Sequence, residues 1–327
     1  MRRTRLTACA GVSTSTGAPF VAFAAAAAIA CAALLVPGSA AQAAQPVLSV
    51  AYAGSMGAVM DQALGPRIHH EAGVAFQGRG AGAYGLAHLL AARQIRADVF
   101  VSITPGPIEV LRKAGLVDRA VPVASTQMVI AYSPDGPHAK LFREAAQGRM
   151  PWYKVLEQPG VKFGRTDPAT DPQGRNIVFA MLLAQDYYKQ PGLAARILGN
   201  YPHNTAQIFS EPSLLSRLQS GQIDASSGYQ SAVISHKLPY IKLPAQVNLS
   251  DPSMIRDWYS KVHFSITGPD GKPMRLSTQP LVFYAAVLTN AQNPRAAREF
   301  VHLMQSSQGR RMFHEFGYGA PKGGALH

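Results

Sequence analysis

Short apolar runs alternate with amphipathic stretches along this chain, an order that predicts strands followed by helices. Val47-Leu48-Ser49-Val50-Ala51-Tyr52 reads as a buried strand ending at Ala53-Gly54-Ser55, and a helical pattern covers about 58–70. Val74 to Gln77 is a second short strand; Gly78-Arg79-Gly80-Ala81-Gly82 follows it, then a helix through Arg93. Asp98 to Ser102 is a third strand, with a helix over Pro107 to Ala114 behind it. This βαβαβα order implies a parallel sheet covered on both faces. In such sheets ligands collect at the carboxyl ends of the strands, where Ser55 and Ser102 both fall.

Met128 to Tyr132 is a strand that leaves this first unit. The next region has its own alternation: Val161 to Gly164, a helix after Asp171, Ala206 to Phe209, a helix over Pro212 to Ser220, and Ala225 to Tyr229. Pro280 to Leu288 is strand-like and returns the chain to the first unit, and Asn293 to Phe316 is mostly helical. The expected architecture is two α/β lobes, one from 46–130 plus 280–327 and the other from 131–279. Two crossing strands join them as a hinge, and the cleft between them is the binding site.

The N-terminus reads as an export signal. Arg2, Arg3 and Arg5 precede an Ala-rich apolar stretch over about 20–36, and Ala41-Gln42-Ala43 fits a small-x-small cleavage site, so 1–43 is the expected signal peptide and the periplasm the expected compartment. Both cysteines, Cys9 and Cys31, lie in that segment, so a mature chain has no disulfide, thiolate metal site or cysteine nucleophile. Formal charge is +13, and loss of the three leader arginines leaves about +10. Nucleic-acid binding is not expected, because the basic residues are scattered and form no stripe.

The chemistry concentrates in Gly164-Arg165-Thr166-Asp167-Pro168-Ala169-Thr170-Asp171-Pro172-Gln173-Gly174-Arg175. An Asp before a Pro that opens a helix caps free backbone N–H groups, and such a helix end is also an anion site. An acid at an anion site is a contradiction unless the ligand offers something a carboxylate can bond. Glu211 before Pro212 repeats the acid-Pro-helix arrangement, and Tyr229 at a strand end can donate a hydrogen bond to an anionic oxygen. The Gly78–Gly82 run lacks the setting of a dinucleotide loop. Neither a Gly-x-Ser-x-Gly elbow nor a His-Glu-x-x-His pair occurs.

Across nearly the whole mature length the chain resembles the periplasmic molybdate/tungstate-binding proteins of ABC importers, especially the tungstate-binding branch. The matching pieces include Ala53-Gly54-Ser55-Met56, Ala97 to Ser102, Trp152 to Leu156, Gly164 to Arg175, Glu211 to Leu214, Ser220 to Ala225, Tyr229 to Ala232, Tyr240 to Pro244 and Asn248 to Pro252. The resemblance implies a type II periplasmic-binding-protein fold, no catalysis and no cofactor. It also implies a monomer that delivers its oxyanion to the permease's transmembrane subunits. It implies that Ser55, Ser102 and Tyr229 bind oxyanion oxygens, and that Asp171 and Glu211 bond directly to Mo or W. Asp167, in the same Asp-Pro context one turn earlier, is the competing choice for Asp171. The chain departs from the family pattern at Gln173, at Arg175-Asn176, where the family has Tyr-Arg, and at Ile103-Thr104, where Ala-Asp is common. A receptor for another oxyanion or metal complex, and a secreted hydrolase using Asp171 and Glu211 as an acid/base pair, are the alternatives.

Overall fold

The computed structural model describes residues 45–201, 204–268 and 271–327; the expected signal segment lies outside them. β1 (Val47–Ala53), β2 (Ala75–Ala81) and β3 (Val99–Ile103) are parallel, with β1 in the middle. β4 (Val121–Ser125) lies at the far edge of the same sheet, whose order is β2-β1-β3-β11-β4. β11 (Val282–Val287) inserts antiparallel to both β3 and β4, so the returning strand reverses the direction of the parallel core. β3 is buried at every position and β11 at all but its last, as expected of strands covered on both faces.

β2 is longer than its apolar residues suggest, because the glycine run is part of the strand. Gly78 and Gly80 face Tyr52 of β1, and a Cβ on either would come within 2.9 or 2.7 Å of the Tyr52 ring. The glycines make room for an aromatic ring, whose hydroxyl donates to Asp61 Oδ1 at 3.0 Å.

The chain crosses to a second sheet at Thr126 and Gln127. β5 (Met128–Tyr132) pairs along its whole length with β7 (Ala225–Tyr229), and β6 (Phe163–Gly164) and β8 (Tyr240–Lys242) complete the order β6-β7-β5-β8. The segment 206–209 is a single helical turn, Thr205–Gln207, followed by one bridge from Ile208 to Arg165, where a strand was expected. β9 (His263–Thr267) and β10 (Pro273–Ser277) form a hairpin, and residues 278–281 carry the chain back to β11. The C-terminal stretch is two helices, Pro294–Gln305 and Ser307–Glu315, capped by Asn293 and Ser306; the first packs on β11 and β4.

The helix Pro172–Tyr187 has almost no solvent face: its first ten residues are all buried. Its polar residues Gln173, Arg175 and Asn176 are therefore drawn inside, at the end where the helix begins, and each must find a partner there.

Candidate functional site

The Asp167–Asp171 segment folds back on itself before the long helix starts. Asp167 Oδ1 accepts from Ala169 N at 2.8 Å, and Asp171 N donates to the Asp167 carbonyl at 2.8 Å. Asp171 then takes extended backbone, and its Oδ1 caps the helix by accepting from Gln173 N at 2.9 Å. Gly174 permits the fold-back, since a Cβ there would sit 2.6 Å from Pro168 N. Asp171 is 7% exposed, whereas Asp167 is only half-buried.

Glu211 does not repeat this arrangement. Ser210 occupies the cap position, and Glu211 is the first helical residue of Glu211–Gln219. Its carboxylate is thus free of capping duty and reaches across to the end of β1. It lies over Gly54, whose missing Cβ would stand 3.0 Å from Glu211 Oε2, and the Ser55 N–H donates to it. Glu211 Oε1 and Ser55 Oγ are both buried without a hydrogen-bond partner among the described residues. The Ser55 carbonyl accepts from Tyr318 OH at 3.0 Å, which fixes the turn from the C-terminal side.

Tyr229, the last residue of β7, is 1% exposed, and its oxygen accepts from Asn176 Nδ2 at 2.9 Å. Its own O–H remains available to donate. Burial, then the charge on Asp171, hold this phenol well above its usual range, so it stays protonated.

The acids respond in the same sense. Burial pushes Asp171 up to about 6; the nearby Asp167 charge adds to this, and the Gln173 N–H, Arg175 and Thr166 oppose it. Glu211 is raised well above the carboxylate range by burial first and by the Asp171 charge second, against the Ser55 N–H. The ligand-free site therefore holds two acids in a space that resists two negative charges.

Of the residues read from sequence, Ser55, Asp171, Glu211 and Tyr229 converge. Ser102 ends up at the matching strand end, next to the Val101–Tyr52 pair, but its buried hydroxyl is directed to the carbonyls of Ile103 and Thr104 at 3.0 and 3.3 Å. Sequence reasoning noted Gln173 and Arg175-Asn176 only as departures from the family pattern, with no role at the site, and missed Tyr84 and Tyr318. Gln173 Nε2 donates to the Ser227 carbonyl and hydroxyl at 3.1 and 3.2 Å, tying the helix start to β7. The signal available was placement: three polar residues within five positions of a capping Asp, followed by an apolar run from Ile177 to Ala184. Among the described residues no group of three or more His, Cys, Asp or Glu is arranged to hold a metal ion, and no helix is long and apolar enough to cross a membrane.

A match to the bacterial extracellular solute-binding proteins spans residues 48–319. This chain belongs to that family. A solute-binding protein of Petrotoga mobilis is 30% identical over 68% of this chain and 67% of its own length. The molybdate/tungstate-binding protein WtpA of Pyrococcus abyssi is 30% identical, and the alignment spans 67% of each chain. Among solved structures, the periplasmic molybdate-binding protein of Azotobacter vinelandii aligns with a TM-score of 0.60 at 17% identity, over 84% of this chain and all of that one. The sulfate-binding protein SubI of Mycobacterium tuberculosis aligns with a TM-score of 0.55 at 14% identity, over 84% of this chain and 86% of that one. These likenesses establish a mixed α/β, type II periplasmic-binding-protein fold. As a member of this family the chain is a solute-binding transport protein.

Proposed function

We propose that this protein is the periplasmic receptor of an ABC importer, capturing molybdate or tungstate between two lobes and delivering it to the permease. The observation that carries the reading is the pair Asp171 and Glu211. Both are buried, Asp171 raises the proton affinity of Glu211, and neither has an ion-pair partner among the described residues. Next to a dianion each ionised carboxylate is repelled by about 4 kcal/mol per unit-charge pair at ~4 Å and an effective dielectric of 20. Sulfate meets that repulsion with no compensation, because its sulfur takes no further oxygen ligands. Mo(VI) and W(VI) accept more than four oxygens, so the carboxylates become ligands to the metal. Selectivity then rests on the penalty for the wrong anion.

The supporting groups fit an oxyanion. The unpartnered Ser55 hydroxyl and the protonated Tyr229 phenol are donors beside the acids, and Ser102 joins them if its hydroxyl leaves its own backbone. The likeness to the molybdate/tungstate-binding protein of Pyrococcus abyssi points the same way. In this reading residues 46–127 with 280–327 form one lobe and 128–279 the other, the first boundary lying short of the expected 130 because the whole of β5 pairs in the second sheet, and the anion draws the lobes together.

Calorimetric titration of the mature protein with molybdate, tungstate, sulfate and phosphate tests the reading. Saturable binding of the first two with no response to sulfate or phosphate is the expected outcome. Tighter binding of sulfate, or turnover of a substrate by the acid pair, would overturn it.

A further inference from the structure

Arg175 and Asn176 have a second side. With Tyr84, Thr104 and Gln279 they line a cavity of about 390 Å³, along which Lys113 and Arg275 also lie. Toward the interior, Asn176 bonds the Tyr229 hydroxyl, and the Arg175 charge bears on Asp171. These two side chains are therefore the wall between the cavity and the buried acids.

Arg175 is 7% exposed and meets no carboxylate at ion-pair distance among the described residues. Its Nε donates to the Pro168 carbonyl at 2.7 Å and its Nη2 to the Ala169 carbonyl at 3.2 Å, so it travels with the acid-bearing loop. Its guanidinium carbon lies 3.4 Å from the centroid of the Tyr84 ring. Tyr84 belongs to the helix Ala83–Ala91, which packs on β1 and β3 of the first sheet. Beside the stack, Gly85 N donates to the Thr170 carbonyl at 3.0 Å, and Gly82 lets that carbonyl come within 2.8 Å of where a Cβ would stand. At the far edge, Tyr84 OH presses on Gly106, whose N–H donates to Gln279 Oε1 at 3.1 Å on the segment returning to β11.

We propose that Arg175 stacked on Tyr84 is the latch of the binding chamber, a positioning pair that must part before the anion can leave. This rests on the oxyanion reading above and adds to it the residues that set the release rate. Asp171 and Glu211 are 7% exposed and Tyr229 1%, so an ion held among them is enclosed and needs an opening. Parting the stack opens the wall toward a cavity whose Lys113 and Arg275 outnumber its one acid, Glu109, and so favour an anion. A planar guanidinium on a ring is the contact an ammonium cannot reproduce. A desolvated stack of this kind amounts to about a 3- to 30-fold change in a rate or equilibrium.

Stopped-flow exchange with tungstate on the full mature chain tests the latch through Tyr84→Ala, Arg175→Lys and Tyr84→Phe. Because the stack is already made in the ligand-free protein and must part for entry as well as exit, Tyr84→Ala and Arg175→Lys should each raise the dissociation rate about tenfold and the association rate with it, leaving affinity within about threefold of wild type. Tyr84→Phe keeps the ring but loses the hydroxyl's bonds to Arg175 and Gln279, so its dissociation rate should fall between those of wild type and Tyr84→Ala. The ligand-free melting temperature should move by no more than about 3 °C in Arg175→Lys, which separates latching from general support of the fold. Unchanged dissociation in Tyr84→Ala and Arg175→Lys, affinity lost through association, or Tyr84→Phe behaving as Tyr84→Ala would overturn the latch. A wild-type protein that binds no tungstate would overturn the oxyanion reading and the latch with it.

Discussion

Replacing Asp171 by Asn tests what the buried acids cost the ligand-free protein and what they give in exchange. The rise from 3.8 to about 6 comes chiefly from burial. At about 1.4 kcal/mol per tenfold, that gap amounts to about 3 kcal/mol lost wherever the group is charged. Because the folded-state acid is the weaker one, the native form binds the proton more tightly than the unfolded chain. The cost is absent below about pH 4, grows from there to about pH 6 and is complete above it. Asn caps a helix as well as Asp, so the bond from Gln173 N survives the substitution. Ligand-free Asp171→Asn should therefore be more stable than wild type by up to about 3 kcal/mol at pH 8 and by about half of that at pH 5. The corresponding rise in melting temperature at pH 8 is roughly 6–10 °C. Tungstate affinity should fall by more than the roughly 10- to 100-fold that loss of an outer-shell partner costs a metal site. Denaturant unfolding at the two pH values, with calorimetry of tungstate binding, reads both effects. A variant that gains no stability at pH 8, or that binds tungstate within about threefold of wild type, would refute the reasoning.

Asp167→Asn is the matched control: the half-buried Asp167 caps its own turn through Ala169 N and reaches Asp171 only through its charge, so tungstate affinity should change by no more than about threefold. Gly82→Ala places a methyl against the Thr170 carbonyl and should weaken tungstate binding by about 1–3 kcal/mol in calorimetry, with equal affinity showing that the approach of Thr170 to Gly82 is dispensable. Both acids must lose their protons to ligate the metal, and both are held above their usual range, so tungstate binding should weaken as pH falls through about 6 and release protons to the buffer. Calorimetry in two buffers of different ionisation enthalpy measures that release, and proton uptake would mean that the acids serve the anion as neutral hydrogen-bond donors.

Much of the fold is legible in the sequence because the strands that matter are buried on both faces. Val99 to Ile103, Met128 to Tyr132 and Val282 to Val287 are runs of almost unbroken apolar residues, and their shortness and their β-branched and aromatic content assign them to strands rather than helices. β2 is less legible: its glycines serve the Tyr52 ring, and that need exists only once β1 and β2 are in register. The direction of β11 is likewise a matter of tertiary pairing. At the site, the Asp-Pro pattern identifies a true cap at Asp171 but treats Glu211 as its equivalent, because sequence alone cannot say whether Ser210 or Glu211 ends the extended backbone. Arg175 is the clearest omission. The family pattern marks it only as a departure, and only the fold brings Tyr84 from far upstream to cover it.

The claim that the carboxylates bond the metal is tested most directly by X-ray absorption at tungsten in the loaded protein. Asp171 and Glu211 as ligands require more than four oxygens in the first shell of the wild-type complex, with the count falling when Asp171→Asn and Glu211→Gln are combined. A four-oxygen tetrahedral shell in the wild-type complex would contradict the proposed coordination.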